Sequence, residues 1–221
     1  MIFLVIVSLL ACIKRKDWIS ALAGSLAVLT RSPAILLFIA YFLHFATLNI
    51  DWKTKIKRFI PYLLMPLALL GLWAYYGFVY GDFWAYFRVG GNINLSFPPL
   101  QVFGSDQPWV GASWLEDIVY TYLFVGGGVI LLWNKFIHNQ SMRIVAIYGL
   151  IYLTALVFIV HRDIARYALP IAPLAILGYG VSYKPKQIPW LILLIILPVF
   201  FYSWNFVQNN VQPIADWTPF L

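Results

Sequence analysis

The stretch HRDIARYALPIAP (161–173) decides how the rest of the chain is read. One imidazole, two guanidiniums and a carboxylate are packed into its first half, directly after one long apolar run and directly before another. Charge at such a junction needs a reason. Read as a helix, the stretch puts Arg162 and Arg166 on one face, with Asp163 within pairing reach of Arg166 and His161 and Tyr167 at the flanks. Two forked guanidiniums side by side suit a phosphate, because each offers paired N–H donors in a fixed plane. Pro170 has no amide hydrogen, so it leaves the Arg166 carbonyl without its helical partner and bends the chain just past the charges. The plainer reading is an anchor, in which arginine and tyrosine hold a helix end among lipid headgroups.

The apolar runs on either side set the class. Of 221 residues, 62% are hydrophobic, 19% aromatic and only 10% charged, more apolar surface than a soluble core of this size can hide. This composition predicts an all-α, polytopic transmembrane bundle of about seven to eight membrane segments, forming one integral membrane domain over 1–221. The net charge of +7 does not argue for nucleic acid, since the basic residues come in short clusters between apolar runs, the pattern that orients membrane proteins. Cys12 is the sole cysteine, so no internal disulfide forms, and no Cys/His spacing of the zinc kind occurs. No cofactor motif is evident, and a divalent metal is left open. Gly126-Gly127-Gly128 lies inside an apolar segment, where glycines let helices approach rather than cradle a phosphate.

From the N-terminus, Ile2 to Ile13 is apolar but short, and Lys14-Arg15-Lys16 follows it. A signal peptide carries its charges before the apolar run. The expectation is therefore that the chain is the C-terminal part of a longer protein and that this first run is the remainder of a full span. Trp18 to Phe45 is apolar except at Thr30-Arg31-Ser32-Pro33, and the basic cluster Lys53, Lys55, Lys57 and Arg58 comes next. Basic flanks on both sides require an even number of crossings. So 18–30 and 33–47 form a short broken pair or a re-entrant hairpin, with Arg31 at the far surface or carried into the bilayer.

Phe59 to Tyr80 reads as a clear span. Residues 81–117 then form the longest polar stretch, an extracytoplasmic loop holding Asp82, Arg88, Asp106, Glu116 and Asp117. Its aromatics argue against disorder. Trp84, Phe87, Trp109 and Trp114 suit headgroups or the face of a sugar ring. Asn94-Leu95-Ser96 matches the glycosylation triplet, a pattern that chance produces often. Four further spans, 118–133, 144–160, 167–183 and 188–204, lead to an extracytoplasmic tail, 205–221.

This path places every lysine, with Arg15, Arg58 and Arg143, on the cytosolic side. Arg31, Arg88, Arg162 and Arg166 fall outside together with Asp82, Asp106, Glu116, Asp117, Asp163 and Asp216. The working face is thus expected to be extracytoplasmic, where no nucleotide sugar is at hand and an activated donor must arrive through the lipid. A polyprenyl-phosphate sugar meets that need: arginines stabilise the leaving phosphate and a carboxylate takes the proton of the attacking hydroxyl. Arg31, Arg162 and Arg166 are the candidates for the phosphate. Asp82, Asp106, Glu116, Asp117 and Asp163 all remain candidates for the base, and none is singled out.

Three motifs carry a resemblance. LAGSLAVLTRSPAILLF (22–38) resembles the broken helix pair of GT-C membrane glycosyltransferases, the GPI mannosyltransferase-like and related bacterial enzymes. YGDFWAYF (80–87) with FPP (97–99) resembles their Gly-Asp-x-x-Ala-Phe segment and its aromatic-proline follower. HRDIARYALPIAPL (161–174) resembles the Arg-Tyr element that opens a late span. The resemblance implies inverting transfer of a hexose, mannose-like, from a polyprenyl-phosphate donor to a glycan, lipid or protein acceptor, with membrane lipids as the other partners. It implies Arg31, Asp82, Arg88, His161, Arg162, Asp163, Arg166 and Tyr167 as substrate-binding residues. The family's acidic first extracytoplasmic loop has no match here, so the catalytic residue is unknown and the chain alone is expected to be inactive. A non-catalytic lipid-phosphate-binding or transport component is the alternative.

Overall fold

A computed structural model of the chain describes residues 1–88, 95–107, 110, 114–161 and 163–209. Every regular element in it is a helix: α1 (Ile2–Ile13), α2 (Asp17–Thr30), α3 (Leu36–Thr47), α4 (Trp52–Phe59), α5 (Leu64–Tyr80), α6 (Ala85–Arg88), α7 (Trp114–Phe136), α8 (Arg143–Leu156), α9 (Ile164–Ala168), α10 (Ala172–Ser182) and α11 (Ile188–Asn209). Among the described residues two helices are long and apolar enough to cross a membrane, Trp52–Tyr80 with 29 residues and Ile118–Phe136 with 19. Ile2–Ile13, Asp17–Thr30, Ser32–Thr47, Arg143–Leu156 and Ala172–Ser182 are shorter apolar helices of 10–17 residues. The first of the two long helices tightens into a 3-10 turn at Ile60–Leu63, where Pro61 cannot donate to the helical ladder.

The break after α2 follows from the same chemistry. Arg31 is extended, with φ −162° and ψ 118°, and a 3-10 turn over Ser32–Ile35 contains Pro33. The break is locally satisfied, since the Arg31 amide donates to the Ala27 carbonyl (3.0 Å) and the Ala34 amide to that of Arg31 (3.0 Å). Both halves of the pair are as short as the sequence suggested.

Hydroxyls and small residues hold the helices together. Ser8, Ser20 and Tyr41 form a buried knot in which the Ser8 Oγ lies 2.7 Å from the Tyr41 hydroxyl and the Ser20 Oγ donates to the Ser8 carbonyl at 2.7 Å. That ties α1, α2 and α3 together, each polar group finding a partner away from water. α7 and α10 meet through Gly128 and Gly178, so closely that a Cβ on Gly178 would run into the Gly128 carbonyl. The glycine triplet is thus a packing device, as its apolar setting implied. The α8 segment Ile144 to Gly149 is buried throughout and sits in the main core with Leu37, Tyr41, Leu132 and Ile171. A second, smaller core of Val102, Ile118, Leu156, Ile159, Ile164 and Ala168 lies where the 81–117 segment meets α9.

Three boundaries differ from expectation. Residues 114–117 belong to α7 rather than to the loop. α11 runs to Asn209, so 205–209 are helical, Phe206 and Val207 continuing the apolar run; residues 210–221 lie outside the described residues. α9 starts only at Ile164. Asp163 is at its N-cap, with φ −86° and ψ 45°, a non-helical position that aspartate favours.

Candidate functional site

The two breaks that the sequence singled out converge. Arg31 leaves the end of α2, and its guanidinium carbon stands 5.6 Å from the ring centroid of Tyr167 on α9, within range of a cation–π contact. Tyr167 in turn meets the His161 ring edge to face, centroids 5.1 Å apart at 77°. The Asp163 amide donates to His161 Nδ1 at 2.9 Å. A nitrogen that accepts a hydrogen bond carries no proton, so the neutral imidazole keeps its hydrogen on Nε2. The Asp163 Oδ2 lies 3.9 Å from the same Nδ1; at that distance the amide, not the carboxylate, decides what Nδ1 does.

What holds the 157–163 segment is main chain. α8 ends at Leu156, and carbonyls beyond a helix end need partners from elsewhere. The Ser96 amide donates to the Phe158 carbonyl at 2.8 Å and the Leu100 amide to that of Val157 at 2.7 Å. Leu95 forms an isolated antiparallel bridge with Ile159. The Tyr122 hydroxyl donates to the Leu156 carbonyl at 2.9 Å. The FPP segment is therefore folded back on the chain just before His161, and its Phe97–Pro98 peptide is cis.

The other loop motif reaches the site through α6, where the Tyr86 hydroxyl contacts the Ser32 hydroxyl in the break. Asp82 accepts from the Trp84 amide at 2.9 Å and faces Arg88 Nη1 at 3.3 Å. Trp84 also packs against Trp73 and Phe83, with centroids 5.8 Å and 5.2 Å away. Asp82 and Arg88 thus brace the turn that carries Tyr86.

The structure therefore brings together Arg31, His161, Asp163 and Tyr167, with Asp82 and Arg88 one step away. Arg166 is exposed on α9. Arg162 lies outside the described residues, as do Asn94, Trp109 and Asp216; the side chains of Phe87, Trp114, Glu116 and Asp117 do too. α9 begins at Ile164 with Asp163 at its N-cap, so no helix runs through Asp163, and the expected face shared by Arg162 and Arg166 involves a residue outside the described ones. Asp106 is exposed and accepts from Gln107 Nε2 at 3.0 Å. Ser32, Tyr86 and Tyr152, whose hydroxyl lies within electrostatic range of Arg31, were missed from the sequence. Ser32 and Tyr86 stand inside the quoted motifs, so the signal was there; Tyr152 had none. Among the described residues no group of three or more His, Cys, Asp or Glu is placed to hold a metal.

Chemically the arrangement is a guanidinium seated on an aromatic face. Among the described residues it lies within ion-pair distance of no carboxylate, and His161 packs against the same Tyr167 ring. An anion is what such a site lacks. No family model, curated protein or solved structure matches this chain.

Proposed function

We propose that the chain is a multi-pass membrane protein of the GT-C kind, which holds a polyprenyl-phosphate sugar at the extracytoplasmic face while a hexose passes to an acceptor hydroxyl. The observation that carries this reading is Arg31 held over the Tyr167 ring that His161 also meets, with no carboxylate within ion-pair distance of it among the described residues. Arg31 would take the donor phosphate, His161 Nε2–H would add a neutral donor, and both would gain strength as negative charge grows on the leaving oxygen. The acceptor oxygen would form a bond to the anomeric carbon as the bond to phosphate breaks, inverting that carbon, and the hydroxyl proton would pass to a carboxylate. Asp163 is the carboxylate that shares the cluster.

Membrane embedding is supported by where apolar surface lies. Only 11% of the Trp52–Tyr80 window and 28% of the Ile118–Phe136 window is buried, whereas an apolar helix of a soluble protein hides in the core. Phe78 is 90% exposed. A groove of about 320 Å³ between α7, α10 and α11, lined by Phe124, Val125, Ile176 and Val199, starts at Ala172 just past the Pro170 turn. It has the right character for a prenyl chain whose head lies at His161 and Arg31.

The binding-only alternative shares this site and is favoured by one observation, the engagement of Asp82 with the Trp84 amide and Arg88. One experiment separates the two. Membranes carrying the full-length gene product are given a radiolabelled polyprenyl-phosphate sugar, and both retention and transfer are measured. Arg31→Ala should lower both by about 10²–10³-fold. Retention without transfer in the unaltered protein selects the binding component, and unchanged retention in the variant removes Arg31 from the donor site.

A further inference from the structure

At the opposite end of α2 the structure assembles a basic surface from two segments far apart in sequence. Asp17, the first residue of α2, receives Arg58 Nε at 2.8 Å and Nη2 at 3.0 Å, and the Tyr62 hydroxyl at 3.3 Å. This clasp ties the turn Lys14-Arg15-Lys16, which directly precedes Asp17, to the C-terminal end of α4. Two of the α4-end cations are already used: Lys55 Nζ donates to the Ala46 carbonyl at 2.9 Å, and Arg58 is held by Asp17. Lys14, Arg15, Lys16, Lys53 and Lys57 are exposed and not so engaged.

The apolar residues among them are exposed too. Trp18 is 66%, Trp52 70% and Ile56 44% exposed, and Trp52, Ile56 and Ile60 recur at helical spacing on one stripe of α4 and its continuation. A soluble helix would turn that stripe inward. Indole and aliphatic side chains interleaved with lysines are instead the composition of a helix lying at the boundary between headgroups and acyl chains. Asp51 accepts from the Thr54 amide at 2.8 Å and Asp17 holds Arg58, which leaves the five cations without a carboxylate in ion-pair reach among the described residues. Charge complementarity fixes the occupant.

We infer that Lys14, Arg15, Lys16, Lys53 and Lys57, framed by Trp18 and Trp52, form a binding surface for anionic phospholipid headgroups on the leaflet opposite the Arg31 site. The inference rests on the membrane reading and not on the sugar chemistry. Its selectivity is electrostatic, so a phosphatidylglycerol or similar acidic headgroup is preferred over a zwitterionic one of equal tail length.

The test uses the purified full chain in mixed micelles titrated with phosphatidylglycerol or phosphatidylcholine, with retained lipid counted by native mass spectrometry. Phosphatidylglycerol should be retained preferentially, and the preference should collapse in 1 M salt, where the screening length is about 3 Å. Lys53→Gln with Lys57→Gln should cut the preference by about fivefold per charge removed, and adding Lys14→Gln, Arg15→Gln and Lys16→Gln should abolish it. Replacing the four lysines by arginine should preserve it, which separates charge from folding. Equal retention of the two lipids, or an unchanged preference in the five-site variant, overturns the inference. Release of the wild-type chain from membranes by alkaline carbonate overturns the membrane reading, and the inference with it.

Discussion

Arg31 and Arg58 sit at the two ends of the same helix pair, each with its guanidinium beside an aromatic ring, 5.6 Å from Tyr167 and 5.2 Å from Phe45. There the likeness stops. Arg58 is closed by a bidentate carboxylate, with side-chain exposures of 21% and 13% for the pair, while Arg31 has the Tyr167 ring and, among the described residues, no carboxylate in ion-pair reach. A closed pair in a sparsely hydrated place is a fastening, because its attraction is already used within the protein. A cation seated on a ring without a carboxylate keeps its attraction for something that arrives.

The comparison can be broken by exchanging the outcomes. Arg58→Leu should lower stability by about 3 kcal/mol, because Asp17 is left half-buried without its partner. Arg31→Leu should change stability little while removing donor retention. Thermal unfolding of both variants in the same detergent checks this, and equal destabilisation would erase the distinction. A smaller effect sharpens it. Tyr167→Leu should weaken donor retention by about fivefold through loss of the cation–π contact, and Tyr167→Phe should restore it, since the ring and not the hydroxyl faces the guanidinium.

The smallest effect concerns the basic end. The Thr54 amide, donating to Asp51, holds that carboxyl below its ordinary value. A carboxylate depressed in the folded chain stabilises above its unfolded pKa and stops doing so as pH falls through the folded one. Amide exchange at Thr54 and Lys55 should therefore quicken below the usual carboxylate range, and Asp51→Ala should show the fast rate at every pH.

Much of this was legible because proline and charge act locally. Pro33 and Pro170 marked the two breaks, since a missing amide hydrogen interrupts a helix wherever it falls. Lysine clusters marked one end of the bundle: the structure ties Arg58 to Asp17, Lys55 to Ala46 and Arg143 to the Thr47 carbonyl there, the last at 2.9 Å. Glycines in an apolar run announced close packing. The meeting of Arg31 with Tyr167 was not legible, because it depends on how α2 and α9 are brought together and neither segment encodes the other. The start of α9 was misread by assuming a helix through Asp163, a residue that prefers to begin one. The docking of 95–100 on 157–159 left no trace in side-chain pattern, since amides and carbonyls, which every residue but proline carries in full, make those bonds.

That last feature has an evolutionary corollary. Where a segment is moored by amides and carbonyls, substitutions along it are felt weakly so long as the backbone keeps its course, and its letters are free to drift. Descendants of this chain would then share the distance between Ser96 and His161 more faithfully than the side chains at Leu95 and Ser96, so the spacing is the better probe for distant kin.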